Sequence, residues 1–245
     1  SLYTNGIDIF EAEIKKNKDN KELVNAFVDT ILMIHNQRIA YFDQKGYVLG
    51  RKGMDMMKYR PEKPCEAFEV LDSSMNLEGN ESDPGVLYYY MLSIIKCEEM
   101  GQKTVADVLE AFGKTLEIAE YNINSGDPKK LENYKKAIDG IIAITGKYLT
   151  CEILLPIAKD KFESKKDDIA WLRRMAKLLK RKDCTETEEF SKIAIRLFEL
   201  EPSADAADNL AKMFLAKKDY GQSVKYFQQA IDLSKAVTDQ QADYY

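Results

Sequence analysis

Four cysteines are the residues of this chain best suited to covalent or metal chemistry. Cys65 and Cys97 lie 32 positions apart, and Cys151 and Cys184 lie 33 apart. A structural zinc site uses closely spaced cysteine pairs, and the lack of any Cys-x2-Cys pattern argues against zinc. Two alternatives remain open, namely four buried thiols that fill a core and two disulfides formed in an oxidising compartment.

Other residues give little support for catalysis. His35 is the only histidine, and no Gly-x-Ser-x-Gly motif accompanies it. The stretch GYVLGRKG carries Gly46, Gly50 and Gly53, but it lacks the preceding strand and the Lys-Ser/Thr of a phosphate loop. We interpret His35 as an ordinary core or surface residue, and the glycines as one turn and two close helix contacts. The sequence therefore predicts a non-enzymatic protein without catalytic residue, metal or cofactor.

The composition of the chain is that of a folded protein. Its 245 residues are 45% hydrophobic and 31% charged, which separates it from disordered sequences. The net charge of −5 at pH 7 gives no support to a nucleic-acid partner. No apolar run is long enough to span a bilayer, and no signal peptide is visible at the start.

One basic cluster interrupts the acidic background, and most of it falls on one helical face: Arg173, Arg174, Lys177, Lys180, Arg181 and Lys182. Leu172, Met175 and Leu179 fall on the opposite face of the same helix. We interpret the cluster as a solvated face whose last cations suit the helix dipole. A docking patch for an acidic partner is the alternative.

Apolar residues recur at helical spacing along almost the whole chain, and local signals mark the ends of the segments. An aspartate before proline, at Asp83-Pro84 and Asp127-Pro128, is typical of a helix start. The predicted fold class is all-α. The predicted helices cover 3–17, 20–42, 47–59, 62–77, 84–100, 103–123, 128–145, 150–165, 168–182, 186–200, 204–217, 221–234 and 239–245.

A helix and its following turn recur near the C-terminal end. The segment MAKLLKRKDC (175–184) aligns with AKMFLAKKDY (211–220) at an offset of 36 residues, which pairs Leu179 with Leu215 and Asp183 with Asp219. Trp171 falls opposite Ala207 at the same offset.

The stretch from residue 204 resembles a tetratricopeptide repeat (TPR). The residues that carry the resemblance are Leu210, Ala211, Phe214, Ser223, Phe227 and Ala230. Ala207 stands where the family prefers tryptophan, and Pro202 sits one residue early. The resemblance implies an α-α superhelix, or solenoid, of stacked antiparallel hairpins. We expect a single domain over 1–245, with divergent hairpins at 1–126, TPR-like repeats at 127–233 and a further, truncated unit starting at 234.

The whole chain is also similar to a group of TPR proteins of the Bacteroidetes cell envelope, on the strength of GYVLGRKGMDMMKYR (46–60) and KDCTETEEF (182–190). This resemblance implies export to the periplasm or outer membrane, with a cytoplasmic location as the alternative. It favours a disulfide between Cys151 and Cys184, whereas for Cys65 and Cys97 the balance stays with two thiols.

The TPR resemblance implies an interaction module that holds a peptide or partner domain in a concave groove. The groove residues we expect to contact the partner are Asp205, Asp208 and Lys212, with Tyr88 as an outside candidate. Because two aspartates would repel a carboxylate, this groove is expected to prefer a basic or neutral partner. The alternative function is a structural subunit of an envelope assembly that self-associates through its terminal repeats, as a homo-oligomer.

Overall fold

A computed structural model describes residues 2–125 and 127–242, with side chains described for 5–125 and 127–235. The described part of the chain is built from twelve α-helices and one 3-10 helix, without a strand. It divides into two compact units, unit 1 (Ser1–Tyr148) and unit 2 (Leu149–Tyr245). The all-α prediction is confirmed, while the single domain and its internal boundaries stay predictions.

Unit 1 contains α1 (Leu2–Lys16), α2 (Lys21–Tyr41), α3 (Lys45–Tyr59), α4 (Pro64–Glu78), a 3-10 helix (Gly79–Glu81), α5 (Pro84–Glu99), α6 (Val105–Ile123) and α7 (Pro128–Thr145). Unit 2 contains α8 (Cys151–Lys165), α9 (Ile169–Arg181), α10 (Glu188–Leu200), α11 (Ala204–Ala216) and α12 (Tyr220–Ala242). The first eleven agree with the predicted bounds to within two residues. None of the described helices is both long and apolar enough to cross a membrane.

The C-terminal helix differs from its prediction. α12 continues without a break to Ala242, so the described residues show no separate start at 239. Residues 243–245 of the predicted last helix lie outside the described residues. A truncated unit that starts at 234 stays a prediction.

Helix starts follow from local capping. The carboxylate of Asp83 accepts a hydrogen bond from Gly85 N at 2.8 Å, and that of Asp127 accepts one from Lys129 N at 2.8 Å. Each cap satisfies an amide that has no partner inside its helix. The two Asp-Pro signals therefore mark helix starts for the expected reason.

The repeat in unit 2 has a different register from the one predicted. The residues with left-handed backbone that end α9 and α11 are Asp183 (φ 59°) and Lys218 (φ 61°), which lie 35 positions apart rather than 36. This offset pairs the fully buried Leu179 with the half-buried Phe214. Leu215, the predicted partner of Leu179, is 47% exposed. Shared leucine, lysine and aspartate residues favoured the offset of 36, because residue identity carries no information about where the backbone turns.

Helices that follow one another in the chain pack together within each unit, as expected for hairpins joined by short turns. In unit 1, α3 also packs on α5, and α5 packs on α7. Each helix thus contacts near neighbours in sequence, which is the packing of a TPR-like α-solenoid.

Glycines allow α3 to approach its neighbours closely. Gly46, Gly50 and Gly53 are all buried on one face of α3, and Gly46 belongs to the helix rather than to a turn. A methyl group added at Gly50 would lie 2.7 Å from a methyl of Val86, and one at Gly53 would overlap Leu71. The two close contacts that the sequence predicted are therefore present, and Gly46 lies on the same face.

Both cysteine pairs join consecutive helices. Cys65 begins α4 and Cys97 lies in the last turn of α5, with a Cα–Cα distance of 5.3 Å. Cys151 begins α8 and Cys184 follows α9, with a Cα–Cα distance of 5.7 Å. The structure pairs both as disulfides, although the sequence favoured thiols for Cys65 and Cys97. Because consecutive helices run antiparallel, the start of one lies beside the end of the next, which spacing along the sequence does not reveal.

We expect Gly53→Ala to lower the free energy of unfolding by about 1–3 kcal/mol, because the new methyl group overlaps Leu71. Gly113→Ala in α6 is the matched control, since nothing lies within 4 Å of its added methyl group. Alanine should there raise the free energy of unfolding by about 0.5–1 kcal/mol. Urea denaturation followed by circular dichroism measures both changes. Equal stability of Gly53→Ala and the original protein would contradict the close contact.

Oxidised protein is expected to show no free thiol when denatured, and the two pairings stay predictions until thiols are counted. Each closes a ring of about 33 residues, which stabilises the folded state by about 3–4 kcal/mol in the chain-entropy account. The free energy of unfolding of the double variant C151S/C184S should be lower by that amount, and that of C65S/C97S by a similar amount. Under reducing conditions each variant should match the original protein. Four titratable thiols after oxidation would contradict the bridges.

Candidate functional site

An apolar groove in unit 2 is the candidate site with the most apolar lining. Its volume is about 530 Å³, and helices α9, α10 and α11 form its walls and floor. The lining residues that the argument below uses are Ala176, Lys177, Lys180, Glu186, Phe190, Ala194, Phe198, Ala206, Met213 and Lys217. Volumes of about 300–1,000 Å³ are typical of ligand pockets.

The groove lies between α9 and α11, which have no pair of Cα atoms within 8 Å of each other. In unit 1, α3 packs on α5 and α5 on α7, and in unit 2 the helices two apart that pack together are α8 and α10. The groove is lined by small side chains at Ala176 of α9, Ala194 of α10 and Ala206 of α11. Small residues on both walls, without a bulky residue to bridge them, leave the space open down to α10.

The groove floor rests on a packed core. Phe198 is buried and contacts Tyr226 of α12 edge to face, with 5.7 Å between ring centroids. Tyr226 also stacks on Phe214, with a centroid distance of 5.5 Å. Burial, together with the nearby Glu199 carboxylate, raises the pKa of Tyr226, so its hydroxyl is neutral at pH 7. These ring contacts hold the groove floor in place, because Phe198 links α10 to α12.

The groove is lined by positive charge. Lys177 and Lys180 lie on the exposed side of α9, and neither forms an ion pair with a carboxylate of the described residues. On the α11 side, Lys212 pairs with Asp208 at 2.5 Å. Glu186, in the turn before α10, is the one carboxylate that lines this groove in the described part of the chain. The groove therefore combines an apolar floor with a cationic rim.

Lys217 is the half-buried cation of this groove. Its side chain is half-buried, and its ammonium group donates to Thr187 O at 3.1 Å and to Ser191 Oγ at 2.5 Å. Both acceptors are neutral, so they hold the group in place without cancelling its charge. A carboxylate brought to this end of the groove would meet an oriented cation.

The predicted contact residues divide between different places. Lys212 lines the apolar groove, whereas Asp205 and Asp208 line a second cleft of about 510 Å³ between α11 and α12, beside Phe227 and Ile231. The Asp208 carboxylate is already engaged by Lys212. The expectation of a basic or neutral partner rested on free aspartates, and it does not describe the charge of the apolar groove.

Tyr88 belongs to unit 1 and is half-buried there. Its ring lies where a methyl group on Gly140 would come within 3.2 Å, so it fills the contact between α5 and α7. It also meets Tyr89 edge to face at 5.6 Å. These contacts are those of a packing residue, and the structure does not bring Tyr88 together with the other predicted contact residues in one groove.

His35 is 2% exposed and its Nε2 lies 2.7 Å from Asp55 Oδ2. Arg38 and Arg51 both lie over the ring of Tyr47 nearby, at 5.4 and 5.6 Å from its centroid. Among the described residues, no group of three or more His, Cys, Asp and Glu side chains could hold a metal ion. His35 therefore links α2 to α3 as a core residue.

Sequence reasoning missed the groove itself. The basic cluster was visible, and its alternative interpretation as a docking patch included Lys177 and Lys180. The apolar floor carried no signal, because Phe190 and Met213 have the spacing of ordinary core residues.

No family model matches the chain, and no curated protein matches it either. Likenesses exist to solved structures. A structure of MamA from Desulfovibrio magneticus RS-1 has 15% identity and a TM-score of 0.36, with 79% of this chain and 97% of that chain covered. A putative kinesin light chain with TPR-like repeats, from Podosopora anserina, has 10% identity and a TM-score of 0.38, with 96% and 95% covered. Similarity at this level identifies neither a family nor a partner for this chain.

Proposed function

We propose that this protein is a non-enzymatic scaffold that docks a partner protein in the groove between α9 and α11. The observation that carries the proposal is an open apolar groove lined by α9, α10 and α11. Apolar surface gains free energy when it leaves water, at about 25 cal/mol per Å². A partner that covers this groove would supply the contact that α9 and α11 do not make with each other.

Partly buried residues on the groove surface favour docking over chemistry. Phe190 and Met213 are half-buried, so part of each side chain remains available to a partner. Aromatic residues and methionine are enriched at protein interfaces, and methionine adapts to different partner shapes.

An exported location is the second part of the proposal. Pairing of all four cysteines supports it, because disulfides persist in oxidising compartments.

Filling the groove should abolish docking without unfolding the protein. We expect Ala194→Phe to place a ring in the groove and to lower the amount of partner captured from a native extract at least tenfold, a loss of about 1.4 kcal/mol. Ala106→Phe, at an exposed position of α6 in unit 1, is the matched control and should capture the same proteins as the original chain. Quantitative mass spectrometry of the captured proteins provides the measurement.

The double variant D205A/D208A extends the same experiment to the second cleft. If the groove between α9 and α11 is the docking site, this variant should keep most of its captured proteins. Loss of capture in D205A/D208A, with full capture by Ala194→Phe, would move the site to the cleft between α11 and α12.

Self-association is a second candidate function, favoured by an apolar stripe on α12. Val224 is 69% exposed and Ile231 is 49% exposed, and they lie two turns apart on one helical face. Uncovered apolar side chains at this spacing are typical of a surface that packs on another helix.

The α12 stripe predicts concentration-dependent dimers. We expect sedimentation velocity to show a dimer that V224E/I231E converts to monomer, since two carboxylates cannot be buried without partners. The variant L215E changes another exposed apolar residue outside the stripe and should leave the dimer intact. A monomer at all concentrations would exclude self-association through α12.

A further inference from the structure

We propose that the groove between α9 and α11 takes an amphipathic α-helix whose apolar face is flanked by acidic residues. This inference rests on the proposed docking function and names the partner's chemistry. The argument uses the groove lining, the charge at its rim and the position of Lys217.

The lining of the groove favours a helix over an extended peptide. An extended segment leaves its backbone N–H and C=O groups in need of partners, and an apolar floor of Phe190, Ala194 and Met213 offers none. A helix satisfies these groups internally and presents only side chains to the floor. Helix-in-groove binding by an apolar face is a recurrent way to recognise a peptide.

The rim decides the charge of the partner. Lys177 and Lys180 lie one helical turn apart on one wall, and Lys212 and Lys217 lie on the other. Glu186 is the one carboxylate among the described residues that line the groove. Since Lys212 is paired with Asp208, three cations remain for a partner. Acidic residues on both flanks of an inserted helix would meet them, whereas basic residues would meet like charges.

The net charge of the chain does not outweigh this local pattern. The chain carries −5 in total and would weakly repel an acidic partner at long range. Salt screens such interactions beyond about 8 Å at physiological ionic strength. The lysines at the rim would contact the partner directly, so their contribution to binding exceeds that of distant charges.

Lys217 adds a specific anchor at one end of the groove. Its ammonium group is held by Thr187 O and Ser191 Oγ, so little side-chain entropy remains to be lost when a carboxylate binds. Charge-assisted hydrogen bonds to a preoriented donor are stronger than those between neutral groups. We therefore expect Lys217 to contribute more to affinity than either exposed lysine of α9.

Synthetic peptides of about 18 residues, roughly five helical turns, test the inference directly. The first carries a leucine stripe flanked by glutamates, the second replaces every glutamate by lysine, and the third has the first composition with two central prolines. Fluorescence anisotropy with the full chain measures their affinity. We expect the acidic helix to bind at least tenfold more tightly than either of the other two.

Variants of the protein locate the binding. K177E/K180E is expected to lower the affinity for the acidic helix at least tenfold, and K217Q should lower that affinity by a similar factor. R181E reverses a charge on the same helix outside the groove lining, so it should change affinity less than twofold. Circular dichroism of each variant checks that the fold is retained.

Different failures have different meanings. Equal binding of the lysine peptide would overturn the acidic preference, and equal binding of the proline peptide would overturn the helical one. Binding of laurate, a carboxylate with an apolar chain, in place of every peptide would assign the groove to a small amphiphile.

If no peptide binds while Ala194→Phe still loses its captured proteins, this inference falls and the docking function stands. If Ala194→Phe also captures normally, both fall.

Discussion

Close approach of neighbouring helices in this chain uses positions where one helix presents little or no side chain. Gly50 and Gly53 provide that surface on α3. In unit 2 the hydroxyl of Ser223 donates to Ala211 O at 2.9 Å, so α11 and α12 meet backbone to side chain. Between α9 and α11 small side chains do not bring the helices together, and a groove remains. Small residues thus permit close packing at the first two contacts and leave open space at the candidate site.

Much of the fold could be predicted from the sequence because its determinants are local. Asp83 and Asp127 cap helices within two residues of themselves, and apolar spacing defines each buried face. The repeat register could not be predicted, since it depends on the left-handed turns at Asp183 and Lys218. Aspartate is enriched in that conformation and lysine is not, so the two turns share no residue type, and matching residues suggested an offset longer by one.

The candidate site was less accessible to prediction than the fold. Lys212 was expected to face a groove and does, but Asp208 neutralises it and Tyr88 packs between helices. The groove reflects a missing contact between two helices, and a sequence describes the residues that are present rather than the contacts that are not made. Charge at Lys177 and Lys180 was the one signal in the sequence that pointed to a wall of this groove.

The two cysteine pairs have a mechanical consequence. Each pair connects the start of one helix to the end of a neighbour, so the residues between them form a closed ring. A pulling force along the chain would pass through the sulfur bridge and bypass everything inside the ring. About 110 Å of extended chain would stay hidden in each ring at roughly 3.4 Å per residue. A chain under tension would therefore lengthen in the segments outside the rings, while two of its helix pairs bore no load.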